Sequence, residues 1–189
     1  METDLKHRKA DVQLRLLFEN GSPAANKDVK ISQKSHQFLF GCGGFEAVEL
    51  AGGKKDGTAI DDARAAYIRE KLDKLFSVNN YATLPFYIGR YEPEEGKPDE
   101  ARTKAAARWF AGRNVTTKGH PLCWHTVCAP WLMNYSNADI LKKVIARIER
   151  DVSAFAGLID IWDVINEVVI MPVFDKYDNA VTRICKEYG

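Results

Sequence analysis

Apolar and polar residues alternate over residues 12–18, break at Asn20-Gly21-Ser22-Pro23 and resume over 29–31, which predicts a β-hairpin near the start of the chain. The rhythm then changes. Residues 37–43 read as a compact aromatic strand ending in Gly-Cys-Gly-Gly, and residues 52–56 as a polar loop. Behind Asp61 or Asp62 as cap, Ala65, Ile68, Leu72, Leu75 and Phe76 recur at helical spacing. The succession then repeats. A strand over 76–82 leads through a charged loop at 91–98 to a helix capped by Asp99, with Ala101, Ala105 and Trp109 on one face. A strand within 114–124 precedes a helix capped by Asn137, with Ile140, Val144, Ile148 and Val152 inward and Gly157 as its stop. Residues 158–166 form the next strand, and Tyr177, Val181, Ile184 and Tyr188 the stripe of a last helix.

Strands alternating with amphipathic helices imply parallel pairing through right-handed crossovers. The expected architecture is α/β: a hairpin extension over residues 1–36, then four βα units over 37–189. At 189 residues and 46% apolar content the chain can bury one core.

The chemistry concentrates where two predicted strands end. Trp162-Asp163-Val164-Ile165 runs straight into Asn166-Glu167. A carboxylate placed where a buried strand surfaces is partly desolvated, which favours its neutral, proton-donating form. Asn166 beside it can hold a hydroxyl without adding charge. Upstream, Gly119-His120-Pro121-Leu122-Cys123-Trp124-His125 also passes from apolar to ring-bearing residues, and Ala129-Pro130-Trp131 follows.

Together these stretches resemble the third- and fourth-strand signatures of glycoside hydrolase family 10, the endo-β-1,4-xylanases. There the third strand carries Gly-His-x-Leu-x-Trp-His followed by Pro and Trp, and the fourth carries Trp-Asp-Val-x-Asn-Glu. Phe38-Leu39-Phe40-Gly41 looks, less sharply, like the family's first strand. The resemblance implies a (β/α)8 TIM barrel, no cofactor and no metal, and retaining hydrolysis of xylan or a xylo-oligosaccharide. Glu167 would be the general acid/base and Asn166 the partner of the sugar 2-hydroxyl, while His125 and Trp124 would line the sugar site beside the cleaved bond. Trp131 stays open between a sugar-stacking platform and a loop anchor. His120 is read as a buttress inside the barrel, Asp163 as a structural hydrogen bond, Trp109 as core, and Glu92, Glu94 and Glu95 as a solvated loop.

The second strand departs from the family. Many members carry Asn-Glu-x-Lys-Trp there, whereas counting back from Glu92-Pro93 puts Tyr87 at the Lys and Thr83 and Leu84 at the Glu and Asn. The charged grip on the non-reducing-side sugar is lost, so a decorated xylan or a related β-1,4-glycan enters the range of substrates. The nucleophilic Glu of the family's seventh strand has no counterpart segment here. A whole barrel takes about 250 residues, and this chain maps onto its first half. An open four-stranded sheet is expected to expose an apolar inner face and two edges, so a second polypeptide, a partner copy or further sequence beyond these residues is expected to complete it. The alternative is an inactive xylan- or β-glycan-binding half-barrel.

Other classes fit poorly. With 27 basic and 26 acidic residues the net charge is +1, no footprint for nucleic acid or an anionic membrane. No apolar run approaches the roughly 20 residues of a membrane span. The basic N-terminal residues precede no apolar segment of signal-peptide type, while the resemblance implies an extracellular or periplasmic home; composition leaves compartment open. Cys42, Cys123, Cys128 and Cys185 form no Cys-x-x-Cys pair and read as reduced, small apolar side chains. A phosphate-binding barrel lacks support, since no Gly-x-Gly-x-x-Gly follows a strand.

Overall fold

In β2 (Tyr81–Pro85) every second residue is buried: Ala82 and Leu84, then Phe86 just beyond, are wholly enclosed. The intervening Tyr81, Thr83, Pro85 and Tyr87 face the other way and stay partly exposed. The computed structural model describes residues 9–171 and 176–189. It divides into a first unit ending at Gln37 and a second spanning Phe38–Gly189.

The second unit holds one four-stranded parallel sheet in the order β1-β2-β3-β4, with β1 at Gly41–Gly43, β3 at Thr116–His120 and β4 at Ile161–Trp162. Between β1 and β2 run α1 (Glu46–Gly52) and α2 (Asp62–Phe76), and between β2 and β3 run α3 (Ile88–Tyr91) and α4 (Glu100–Ala111). A 3-10 turn at Pro130–Asn134 and α5 (Asn137–Ala154) connect β3 to β4, and α6 (Ala180–Tyr188) follows. Helices gather on one face, where Leu84 and Phe86 meet Ile68, Leu72, Phe110 and Phe155. Each such side chain contributes about 1.5–3 kcal/mol by burial. Gly119 makes room there for Trp162, since a Cβ would lie 2.2 Å from the indole that packs edge-on against Phe86.

Several element boundaries depart from the periodicity, each for a packing reason. Phe76 closes α2 rather than opening a strand, because its ring packs 4.8 Å from Phe110, and β2 starts at Tyr81. The buried face of α4 is Thr103, Ala106, Ala107 and Phe110, so Ala101 is exposed; Trp109 lies at the core margin, with Arg113 stacked 3.6 Å over it. Ser136, not Asn137, caps α5 by accepting the Asp139 N–H. The strand expected over 158–166 shrinks to Ile161–Trp162 plus a bridge from Ile165 to Cys123. Tyr177 precedes α6, which begins with a capping box between Asn179 and Thr182. In the first unit the expected hairpin keeps its turn, with Gly21 at φ 80°, but its pairing is reduced to one Leu17–Pro23 bridge. Val12, Val29 and Ile31 are exposed, so among the described residues no packed face holds longer strands together.

The expected apolar inner face is also corrected. Opposite the helices, β2 presents Tyr81 and Thr83, β3 presents Lys118 and His120, and Asp163 follows β4. Lys118 Nζ and His120 Nδ1 both lie 2.7 Å from Asp163 Oδ2. Ile161, paired with Lys118, adds one exposed apolar residue to this face, and two exposed apolar runs flank the edge strands: Phe38, Leu39 and Phe40 before β1, and Val164, Ile165, Val168, Val169 and Ile170 after β4.

Candidate active site

The ring-bearing residues meet because the chain keeps pairing past β3 and β4. The Leu122 N–H donates to Asp163 O at 3.0 Å, Cys123 N–H to Val164 O at 2.8 Å, and Asn166 N–H to Cys123 O at 2.9 Å. That ladder sets Trp124-His125 beside Asn166-Glu167 at the carboxyl ends of the strands. Trp124 Nε1 donates to Glu167 Oε2 at 2.8 Å, and His125 Nε2 lies 3.9 Å from the same oxygen. Glu167 sits at φ 55°, a left-handed conformation that costs a residue with a Cβ about 1–3 kcal/mol. His125 is fully buried, and its carbonyl accepts from Asn179 Nδ2 at 2.5 Å.

Tyr87, arriving from the end of β2, completes the cluster. Its ring centroid lies 5.7 Å from Trp124 and 5.5 Å from His120. Partial burial pushes its hydroxyl above the ordinary tyrosine range. The strand alternation that brings Tyr87 and Thr83 to this side sends Leu84 into the core, so Leu84 faces no groove. Asn166 is half-buried next to Glu167. The structure thus gathers Glu167, Asn166, His125, Trp124 and Tyr87. Trp131 is joined elsewhere: its indole N–H donates to Glu92 O at 2.9 Å.

Two expectations change. The Glu167 carboxylate is not enclosed in this chain; its side chain keeps 43% of its exposure. Glu92 is not solvated, being 2% exposed and bridged to Arg150 at 2.7 Å, because α5 packs over its loop. Glu94 and Glu95 remain at the surface.

Sequence reasoning missed Arg147. From the buried stripe of α5 it donates to the carbonyls of Phe86 and Leu122, the residues preceding Tyr87 and Cys123, and its Nε lies 3.3 Å from Asp151 Oδ2. Arg147 is 4% exposed and Asp151 1%. The signal was an Arg and an Asp four apart on the stripe begun by Ile140 and Val144, where two apolar residues would be usual. Arg147→Met should cost about 3–5 kcal/mol, because the Phe86 and Leu122 carbonyls lose their donor and Asp151 loses one of its two cationic partners, keeping only Arg150 at 2.8 Å. Removing both, as Arg147→Met with Asp151→Leu, should cost less than the two single variants summed, since the two carbonyls stay without a donor but no carboxylate is left short of its partner. Urea midpoints of the two single variants and the double measure this, and costs that simply add would refute the coupling.

Asp163 sets a pH dependence. Partial burial raises its carboxyl, but hydrogen bonds from Lys118 and His120 outweigh it and hold it below its ordinary 3.8. A lowered folded-state pKa stabilises above the unfolded value and loses that stability as pH falls through the folded one. Asp163→Asn should therefore cost up to about 1 kcal/mol at neutral pH, since the pair is partly screened. The gap from wild type should close as pH falls below the ordinary aspartate value and through the lowered folded one. A gap constant with pH in denaturation curves would rule this out.

Cys42, Cys123, Cys128 and Cys185 are free thiols, and burial pushes the Cys123 thiol up to about 12. Among the described residues no group of three His, Cys, Asp or Glu could hold a metal ion, and no helix is long and apolar enough to cross a membrane.

Parallel strands joined by helical crossovers, with a carboxylate, imidazoles and aromatic rings gathered where the strands end, define part of a (β/α)8 barrel. The Glycosyl hydrolase family 10 model matches residues 55–181, and the chain belongs to that family. It is 39% identical over 124 residues to endo-1,4-beta-xylanase 3 of Hypocrea jecorina, covering 59% of this chain and 33% of that one. It is 22% identical over 177 residues to endo-1,4-beta-xylanase 5-like of Arabidopsis thaliana, covering 90% and 28%. The match thus spans about a third of the length of each of these two relatives. Among solved structures it is similar to a thermostable mutant of xylanase Xyn10A from Cellvibrio japonicus, with TM-score 0.53 and 20% identity over 76% of this chain and 38% of that one. The family 10 structure from Paenibacillus barcinonensis matches at TM-score 0.52 and 21% identity, over 69% and 36%.

Proposed function

We propose that this chain supplies the acid/base half of a retaining endo-1,4-β-xylanase. The observation that carries the reading is the Glu167 carboxylate, held by Trp124 Nε1 at 2.8 Å in a left-handed backbone at the mouth of the sheet. Strained backbone persists where surrounding structure enforces it, which is common at active sites. In this reading Glu167 protonates the departing glycosidic oxygen, then takes a proton from the incoming water. Asn166 binds the sugar 2-hydroxyl, His125 and Trp124 border the sugar at the cleaved bond, and Tyr87 takes the place of a charged grip on the glycone side. Trp131 acts one step removed, by anchoring the loop that follows His125.

Retention needs a second carboxylate roughly 5–5.5 Å from the first, on the opposite face of the sugar. We assign it to a further polypeptide segment completing the barrel. The exposed apolar residues at both sheet edges support this, since those edges are where further strands would pair. Residues 37–189 are assigned to the barrel half and residues 1–36 to an extension.

Titration with xylotriose tests the substrate class. Tryptophan fluorescence should change saturably and the change should disappear in Trp124→Ala, while a maltose-series trisaccharide should produce none. A flat response to xylotriose would sink the xylan reading.

A further inference from the structure

A pocket of about 350 Å³ opens beside the carboxyl end of β2, lined from α1, α3 and α4. Its three carboxylates are already matched. Lys71 holds Glu46 at 2.8 Å, Arg64 holds Glu49 at 3.0 Å and Arg102 holds Asp99 at 2.5 Å. Its cations Lys55 and Arg90 are not: among the described residues neither lies within ion-pair distance of a carboxylate. Lys55 Nζ donates instead to the Arg90 carbonyl at 2.5 Å, which fixes the ammonium at the rim without neutralising it. The Arg90 guanidinium lies 5.9 Å from the Tyr87 ring centroid.

Two unmatched cations in a concave site attract an anion, and a guanidinium matches the planar fork of a carboxylate. Phe45 and Tyr87, packed edge to face with ring centroids 6.0 Å apart, add an aromatic wall against which the carbon face of a pyranose can lie. The volume is at the small end of ligand pockets, roughly 300–1,000 Å³. Tyr87 lines both this pocket and the cluster around Glu167, so a group seated here is a branch away from a glycan in that groove.

We propose that Lys55 and Arg90 form a specificity pocket for a hexuronate branch on the glycan backbone. The proposal rests on the groove being a xylan site, and it adds the decoration that the site selects. The probes are free D-glucuronate, plain xylotetraose and xylotetraose bearing one glucuronate branch, each titrated into the full chain by calorimetry. The branched sugar should bind on the order of fivefold more tightly than the plain one, the scale of an exposed charge pair. That ratio should fall to one in Lys55→Gln with Arg90→Gln and shrink in either single variant. Circular dichroism confirms that each variant is folded. Free glucuronate should shift the Tyr87 resonances in the wild type only, more strongly than equimolar acetate or inorganic phosphate.

Equal affinity for the branched and plain sugars would overturn the pocket and leave the xylan reading standing. Equal effects of acetate, phosphate and glucuronate would also overturn it, marking a site for any small anion. Loss of plain xylotetraose binding with glucuronate still seated at Tyr87 would sink the xylan reading and keep the uronate site.

Discussion

Replacing Glu167 by Gln in the completed enzyme should slow xylan hydrolysis by about 10²–10⁴-fold, the usual contribution of a general acid. The amide is isosteric and its oxygen can still accept from Trp124 Nε1, so the 2.8 Å contact and the local fold should survive. What is lost is the proton. A sugar leaving group is a poor one and needs protonation as the bond breaks, whereas an activated aryl glycoside does not. First-step rates on such aryl substrates should therefore fall far less than rates on xylan. The pH profile of the variant should also lose the limb that reports the acid. Equal and mild losses on both substrates would remove Glu167 from the role.

The second large effect is all-or-none. The 189-residue chain alone should show no xylan cleavage above background, and adding a chain with four more βα units and a Glu at the end of the last-but-one strand should restore turnover. Protonation without a partner on the opposite face leaves the oxocarbenium-like state unstabilised. The same addition should protect the edges carrying Phe38, Phe40, Val164, Ile165 and Val169, and hydrogen exchange there should slow in the complex. Completion should enclose Glu167 as well, and that enclosure is what would favour its proton-donating form. Robust cleavage by the verified single chain would overturn the two-part reading. Restored binding without turnover would favour a glycan-binding half-barrel.

The buried network behind the site constrains both experiments. Arg147 holds the Phe86 and Leu122 carbonyls, and so sets the spacing of the segments that deliver Tyr87 and Trp124. Variants there should disturb binding and stability together, whereas Glu167→Gln should disturb catalysis alone. That separation keeps a folding defect from being read as a catalytic one.

The sequence by itself determined the succession of strands and helices, the parallel topology and the identity of the cluster at the strand ends. These are local or nearly local properties: helical spacing in α2 and α5, and Asn166-Glu167 set directly after an apolar run. Tertiary structure alone decided the rest. Whether Phe76 ends a helix or starts a strand depends on the Phe110 ring, which arrives from another element. Leu84 and Tyr87 could be told apart only by which face of β2 meets the helices. Glu92 looked like one of three solvated acids until α5 brought Arg150 across it. Arg147 and Asp151 look like surface charges in composition, yet packing turned them inward, because the ends of two strands left carbonyls that needed a donor. Periodicity records which residues share a face; only the assembled sheet fixes what that face meets.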